Sequence, residues 1–511
     1  MFLLILRKLR KYSQMNKTLK EYNKKLSELS LIFGPKSLFS PTLCRIEGQT
    51  NLFRNIFINN KKNKNQNFIS LSLNFLKNFS FVLKPIRDFV FMLNSEKKVF
   101  PKNINRLFIT YGDYRNISYK KNWEEEIFRG IKPSKKNKIL VISLGKSIKD
   151  VVKNINYIKN CNQKKDIYSI YSMIELKDIL NAFLKSNFYF FTYLFGLSSR
   201  KIFINRKNIK SFVIKSLIND YARGFLYSNC LFSNIWSNTL KNNPKKIIFP
   251  WESHCWERLL MHQVNKDKMF QTISTIGYQH TGFSYGLLQH FATKSDEKNF
   301  INPQIIFSCG EIQKEKLDQI EGLSKVRKFT VGSLRCKSNP DIKTLYSKLN
   351  KKIKNISVAL GYNQKNYQTI IDELNKVNKK INIYIFLHPL NYKFNPTKYL
   401  DNNIILKYKR NNKLIKDSDL LIVDDNSMMI EGWTLGVPTI IYETDSYKLT
   451  KRDWKSPILH ITKKNINELD KKNFRAKLDS SIKIYLKSKY YEKYFKEINF
   501  SKFENFLSQV N

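Results

Sequence analysis

Residues 417 to 442 constrain the fold most. The apolar run Leu420 to Val423 suits a parallel strand buried on both faces, Asp424-Asp425-Asn426 reads as a turn, and Ser427 is placed to cap a short helix. Gly436 ends that helix and Pro438 opens a second strand, Thr439 to Tyr442. A strand–turn–helix–strand unit of this kind aims free backbone N–H groups and the positive helix end at one point, where a phosphate is favoured. Glu431 lies one turn beyond Ser427 on the same face, within reach of ribose hydroxyls.

The unit belongs to the second of two series. Leu107 to Tyr111, Ile139 to Leu144, Ile247 to Phe249, Thr272 to Gly277, Ile305 to Ser308 and Phe329 to Val331 form the first series of expected strands. Ile356 to Leu360, Ile383 to Leu387, Ile404 to Leu406, Leu420 to Val423 and Thr439 to Tyr442 form the second. Helical stretches between them predict an α/β protein with two parallel sheets. We therefore divide the chain into a helical or irregular extension (1–104), a first Rossmann-like domain (105–334), a linker with one helix (335–352), a second Rossmann-like domain (353–462) and helices packing back (463–511). Open sheets of this type bind ligands at the carboxyl ends of their strands.

Composition narrows the function classes. With 511 residues, 42% hydrophobic and 14% aromatic, the chain is folded despite a mean hydropathy of -0.43. Its net charge of +50 would ordinarily suggest nucleic acid, anionic membrane or phosphorylated substrates. Lys and Asn are abundant everywhere, including Asn60 to Asn67, which reads as compositional bias, and no basic stretch carries an aromatic platform; no nucleic-acid partner is expected. Cys44, Cys161, Cys230, Cys255, Cys309 and Cys336 are scattered without metal-like spacing, and adjacent Asp424-Asp425 lacks a third ligand, so no metal is expected. Met1 to Leu6 ends at Arg7-Lys8 without a cleavage site, and Phe188 to Leu197 is too short to span a bilayer, so a cytoplasmic location is expected. Residues 68 to 94 have amphipathic character; interdomain packing is one reading and peripheral contact with an inner membrane the other.

Three strand ends carry chemistry. His388-Pro389 follows Ile383 to Leu387 and faces the same crevice as Ser427. His280 stands in Gly277-Tyr278-Gln279-His280, after the strand Thr272 to Gly277, where a neutral imidazole can accept a hydroxyl proton. Pro250-Trp251-Glu252-Ser253-His254-Cys255-Trp256-Glu257-Arg258 follows another strand: Glu252 can bind hydroxyls or compete with His280 as base, Trp251 and Trp256 offer ring faces to a sugar, and Glu257-Arg258 reads as an ion pair or cap. Arg335 near the linker can reach a pyrophosphate, and Gly361 lets one approach the backbone. Walker A, Gly-x-Ser-x-Gly and dinucleotide Gly-x-Gly-x-x-Gly patterns are absent from the sequence.

The His388-Pro389 and Ser427 pair resembles the nucleotide clamp of GT-B glycosyltransferases, and is similar to the motifs of bacterial sialyl- and polysialyltransferases. CDP-glycerol glycerophosphotransferases show a similar order, with a Tyr-rich segment like Tyr442 to Tyr447. Pro250-Trp251-Glu252, then Gln279-His280, then Val331 to Arg335 resembles bacterial surface-carbohydrate biosynthesis proteins of O-antigen type. The resemblance implies a GT-B-like fold with two domains facing a cleft, and a metal-independent transferase without cofactor. It implies a nucleotide-activated sugar held by His388, Ser427, Asn426, Glu431, Gly361 and Arg335. It further implies a glycan or lipid-linked acceptor held by Trp251, Trp256 and Gln279, with His280 or Glu252 as base. Asn426 departs from the paired hydroxyls of those families. A nucleotide-sugar 2-epimerase is the alternative, although such enzymes carry Asp-Ser-Gly-Gly where this chain has Asp425-Asn426-Ser427-Met428; a non-catalytic glycan- or membrane-binding protein is the second.

Overall fold

The computed structural model describes residues 20–45, 80–112, 122–123, 125, 127–143, 147–204, 207–280, 290–335, 341–361, 364–388, 391, 394–396, 400–407, 411–424, 428–443, 459–461, 466–469 and 471–510. Asn426 and Ser427 lie outside them, as do Asp425, Pro389, Tyr362, Asn363, Cys336, residues 1–19, residues 60–67 and most of the Tyr-rich segment.

Two parallel sheets account for the architecture. The first holds β1 (Arg106–Gly112), β2 (Asn137–Ser143), β3 (Ile167–Ser169), β4 (Lys246–Pro250), β5 (Ser274–Gln279), β6 (Ile305–Ser308) and β7 (Arg327–Thr330), in the spatial order β3-β2-β1-β4-β5-β6-β7. The second holds β8 (Asn355–Ala359), β9 (Asn382–Phe386), β10 (Ile404–Lys407), β11 (Leu420–Val423), β12 (Thr439–Tyr442) and β13 (Leu459–Ile461), in the order β10-β9-β8-β11-β12-β13. Both start in the middle, wind one way and then reverse, so each has a switch point beside its first strand, at β1/β4 and at β8/β11. This is the α/β class with two parallel sheets expected from the sequence.

The strands form where apolar runs can be covered on both faces. All seven residues of β2 and all four of β11 are buried, as parallel strands under helices require. Two edge strands escape the sequence reading, β3 and β13, because three residues make no run that stands out. Another strand is shifted: the sequence reading places it at Thr272 to Gly277, whereas β5 starts at Ser274, pairs Tyr278 with Phe307 and Gln279 with Ser308, and delivers His280 at its end.

Helices α1 (Ser80–Asn94), α2 (Leu176–Ser198), α3 (Lys210–Ala222), α4 (Phe225–Leu240) and α5 (Cys255–Lys266) flank the first sheet, with a small hairpin, Phe203–Ile204 against Lys207–Asn208, between α2 and α3. Helical residues 20–33 pack Tyr22, Leu26 and Phe33 against Tyr193, Phe212 and Leu217 of α2 and α3. The close approach needs a glycine: a Cβ on Gly196 would lie 2.6 Å from the Phe33 ring.

In the second domain α6 (Met428–Thr434) ends at Gly436, whose φ of 77° is the left-handed turn a helix stop requires. Trp433 of α6 stacks at 4.2 Å on Tyr485 of α7 (Lys472–Ser488). The chain then crosses back to the first domain: the Lys496 N–H donates to Cys309 O (2.9 Å), and Ser333 pairs with Glu497 as a β-bridge. Helix α8 (Phe500–Gln509) seats Phe503 against Tyr278, Phe307 and Phe128, while Glu504 receives Arg106 at 2.6 Å.

Candidate functional site

The loop from Trp251 to His254 joins β4 to α5 at the β1/β4 switch point, and its shape is imposed by one carboxylate. Glu257, in the first turn of α5, accepts the N–H groups of Glu252 (3.0 Å) and Ser253 (2.7 Å). The clamp holds Ser253 in the left-handed region (φ 58°), a conformation costing a non-glycine residue about 1 kcal/mol or more. Glu257 is thus a cap and not the partner of its neighbour. Arg258 instead donates to Ser253 O (3.1 Å) and faces Asp296 (4.0 Å), which also binds Arg45 at 2.5 Å.

This loop projects Glu252 among three of the chain's six histidines. Its Oε2 lies 2.9 Å from His254 Nε2 and its Oε1 3.7 Å from Nε2 of His280, which leaves the end of β5. His290, stacked at 5.3 Å on Trp251, completes the group. Burial pushes the imidazoles of His280 and His290 down to about 4, opposed in each case by the negative charge of Glu252; the cation of Arg335 adds to the lowering at His280. Burial would raise Glu252, but the His254 bond and the charges of the surrounding imidazoles outweigh it and hold the carboxyl down at about 2. Glu257, buried and with no partner for Oε1 among the described residues, is pushed up to about 8 by burial. At neutral pH the site therefore presents the ionised, half-buried carboxylate of Glu252 beside the neutral imidazoles of His280 and His290.

These shifts fix a pH dependence. Because His280 and His290 bind protons less readily folded than unfolded, their contribution to stability is complete above about 6.5 and is lost as pH falls from there toward 4. Glu257 acts oppositely: its contribution is complete below about 4.5 and is lost as pH rises toward 8. Proton NMR of the His280 and His290 rings should give midpoints near 4; midpoints near 6.5 would mean that the rings are solvated.

The aromatic residues correct the sequence reading. Trp251 and Trp256 are 4% and 6% exposed, and their faces are taken by protein. Trp251 lies between His290 and the Gly277 backbone, where a Cβ would come within 2.9 Å of it. Trp256 donates its indole N–H to Tyr111 Oη (3.2 Å) and packs on Trp236, Phe232 and Phe249. Gln279 is buried within β5, its Oε1 accepting from Cys309 (3.8 Å). Large rings at a strand end fill core as readily as they line a cleft. All three residues support the site from behind, and none offers an open face to a sugar.

At the β8/β11 switch point of the second sheet, Gly361 follows β8 and the carboxylate of Asp424, following β11, occupies its side-chain space: a Cβ there would meet Asp424 Oδ1 at 2.5 Å. The buried Tyr367 hydroxyl ties the neighbouring loops together. It donates to Gly361 O (2.6 Å) and accepts the His388 N–H (3.2 Å) and the Asn391 side-chain amide (2.9 Å). Half-buried His388 is thereby fixed just past β9, and half-buried Glu431 stands in the first turn of α6. Arg335, half-buried, lies on the first-domain side near His280, its N–H on Ser333 Oγ (3.3 Å). Among the described residues no group of three or more His, Cys, Asp or Glu side chains is arranged to hold a metal ion.

The cap was one of the two sequence readings of Glu257; His254, His290 and Tyr367 were missed in the sequence. His254 had a signal, two residues from Glu252 in one loop. His290 and Tyr367 had none, because they arrive from separate elements.

No family model matches the sequence, and no curated protein matches it. Among solved structures the chain is similar to a variant of the wall teichoic acid polymerase TagF (10% identity, TM-score 0.35, covering 86% of this chain and 96% of that one). It is also similar to UGT89C1 of Arabidopsis thaliana (10%, 0.37, 79% and 98%) and to a UDP-GlcNAc 2-epimerase of Neisseria meningitidis (12%, 0.36, 79% and 99%). At these scores neither activity nor substrate transfers from those proteins to this chain.

Proposed function

We propose that the chain is a glycosyltransferase that moves a sugar from a nucleotide-activated donor to a hydroxyl of a glycan or lipid-linked acceptor. The observation that carries this reading is the Glu252–His280 pair, set at the carboxyl ends of adjacent strands beside a switch point, in the first of two doubly wound sheets. The acceptor hydroxyl meets half-exposed Glu252, with buried His280 behind it. As the acceptor oxygen bonds to the donor carbon, its proton passes to the Glu252–His280 pair, and the carbon–oxygen bond to the nucleotide phosphate breaks with its electrons leaving on the phosphate. A neutral imidazole beside an anion suits this step, because the carboxylate stabilises the cation that proton capture creates.

The second domain takes the nucleotide. His388, Glu431 and the Gly361 loop, with Asn426 and Ser427 between β11 and α6, receive its phosphates and ribose, and Arg335 meets the pyrophosphate from the first-domain side. Calorimetric titration with CMP-, CDP-, UDP- and GDP-sugars tests this. One class should bind, and His388→Ala should weaken it about 10- to 100-fold, the loss of a hydrogen bond to a charged group. If no nucleotide binds, the reading fails; if a UDP-sugar alone is epimerised without acceptor, the epimerase reading replaces it.

A further inference from the structure

Helix α2 packs Ile179, Ala182, Phe190, Tyr193 and Leu197 inward. Its opposite face is unusual for a water-soluble helix. Leu176, Leu180, Leu184, Phe188, Phe191 and Phe195 recur every three or four residues and are all more than half exposed, Phe195 by 74%. Helix α1, packed beside it, adds exposed Leu83, Ile86 and Leu93. Exposed apolar side chains scattered singly need no explanation, but a stripe six residues long on one helix marks a contact surface.

The surrounding charge says which contact. The segment after α2, residues 199–219, holds six Lys and Arg and no Asp or Glu. Arg200, Lys201, Lys210 and Lys215 carry that charge at the end of the stripe, where the hairpin adds exposed Phe203, and Lys36 lies 5.1 Å over the Phe188 ring. The chain as a whole is +50, so a second copy would bring two cationic fringes together. Residues 1–19 hold five Lys and Arg and no acid, so that segment meets the same repulsion. No helix among the described residues is long and apolar enough to cross a membrane. An apolar stripe with a basic fringe matches the acyl boundary and the headgroups of an anionic leaflet.

We infer that the outer face of α2, with the basic hairpin segment after it, docks in the plane of an anionic lipid surface. Leu184, Phe188, Phe191 and Phe195 enter the headgroup–acyl boundary while Arg200, Lys201 and Lys215 lie on the lipid phosphates, their stems against the apolar layer. This assignment rests on the stripe and its charge and stands apart from the transferase reading.

Flotation with phosphatidylcholine vesicles, with and without about one third phosphatidylglycerol, tests it. The full chain should float with the anionic vesicles, not with phosphatidylcholine alone, and less as salt rises. The variant L184E/F188E/F195E should bind at least about tenfold more weakly, since it removes apolar area and adds negative charge. The variant R200Q/K201Q/K215Q should lose about fivefold per charge. I342E, at an exposed apolar site elsewhere, should bind as the parent does, and a thermal melt by circular dichroism confirms that each variant is folded. A parent that ignores anionic vesicles, or a folded stripe variant that still binds them as well, overturns the proposal. So does a vesicle-free dimer that the stripe variant dissociates, since that gives the face to a second copy.

Discussion

Replacing His280 with Ala, or Glu252 with Gln, is expected to lower the transfer rate by about 10²- to 10⁴-fold while leaving nucleotide affinity within about twofold. Both residues belong to one proton-accepting pair, so the double variant should lose little more than the worse single one. The pH profile distinguishes this role from mere support. With the imidazole of His280 held near 4 and the Glu252 carboxyl near 2, the base form persists to acidic pH, and the acid limb of kcat/KM should fall well below the ordinary histidine value of 6.5. A limb near 6.5, or an active H280A/E252Q enzyme, would remove the pair from the chemistry.

The second large effect concerns stability. Asp296 is buried with Arg45 and Arg258, and burial alone would raise its carboxyl, but the two guanidinium charges keep it lowered. Asp296→Asn leaves two buried cations without their counter-charge, and breaking such a group costs about 3–5 kcal/mol. Because Arg258 also holds the Ser253 carbonyl, the loss should reach the Glu252 loop: the variant is expected to melt several degrees lower and to lose activity beyond its loss of folded fraction. A chemical melt with a midpoint equal to the parent's would show that the pair contributes nothing.

Much of the fold was legible because its strands are buried on both faces. Leu420 to Val423 or Ile305 to Ser308 can be little else between polar turns, and from them the two series, the sheet class and the strand ends follow. Glu252 and His280 were legible for the same reason: they stand where parallel strands stop. The indoles were not, since a Trp at a strand end has the same local sequence whether its face meets a sugar or His290. The partners of Glu252 needed three dimensions, because His290 and His280 reach it from different elements and only folding makes them neighbours. Asn426 and Ser427 lie outside the described residues, and Tyr367, Gly361 and Asp424 mark that switch point.

The return of the chain after α7 has a mechanical consequence. Gly310 and Gly332 leave room for the backbone at Tyr494 and Lys496 to pass; a Cβ on either would come within 2.6 Å of a carbonyl oxygen there. The domains are therefore linked covalently twice, once between Arg335 and Asp341 and once between Tyr494 and Ile498. Relative rotation of the two sheets has to be accommodated by both crossings at once, so an inserted residue in either is expected to shift one sheet against the other.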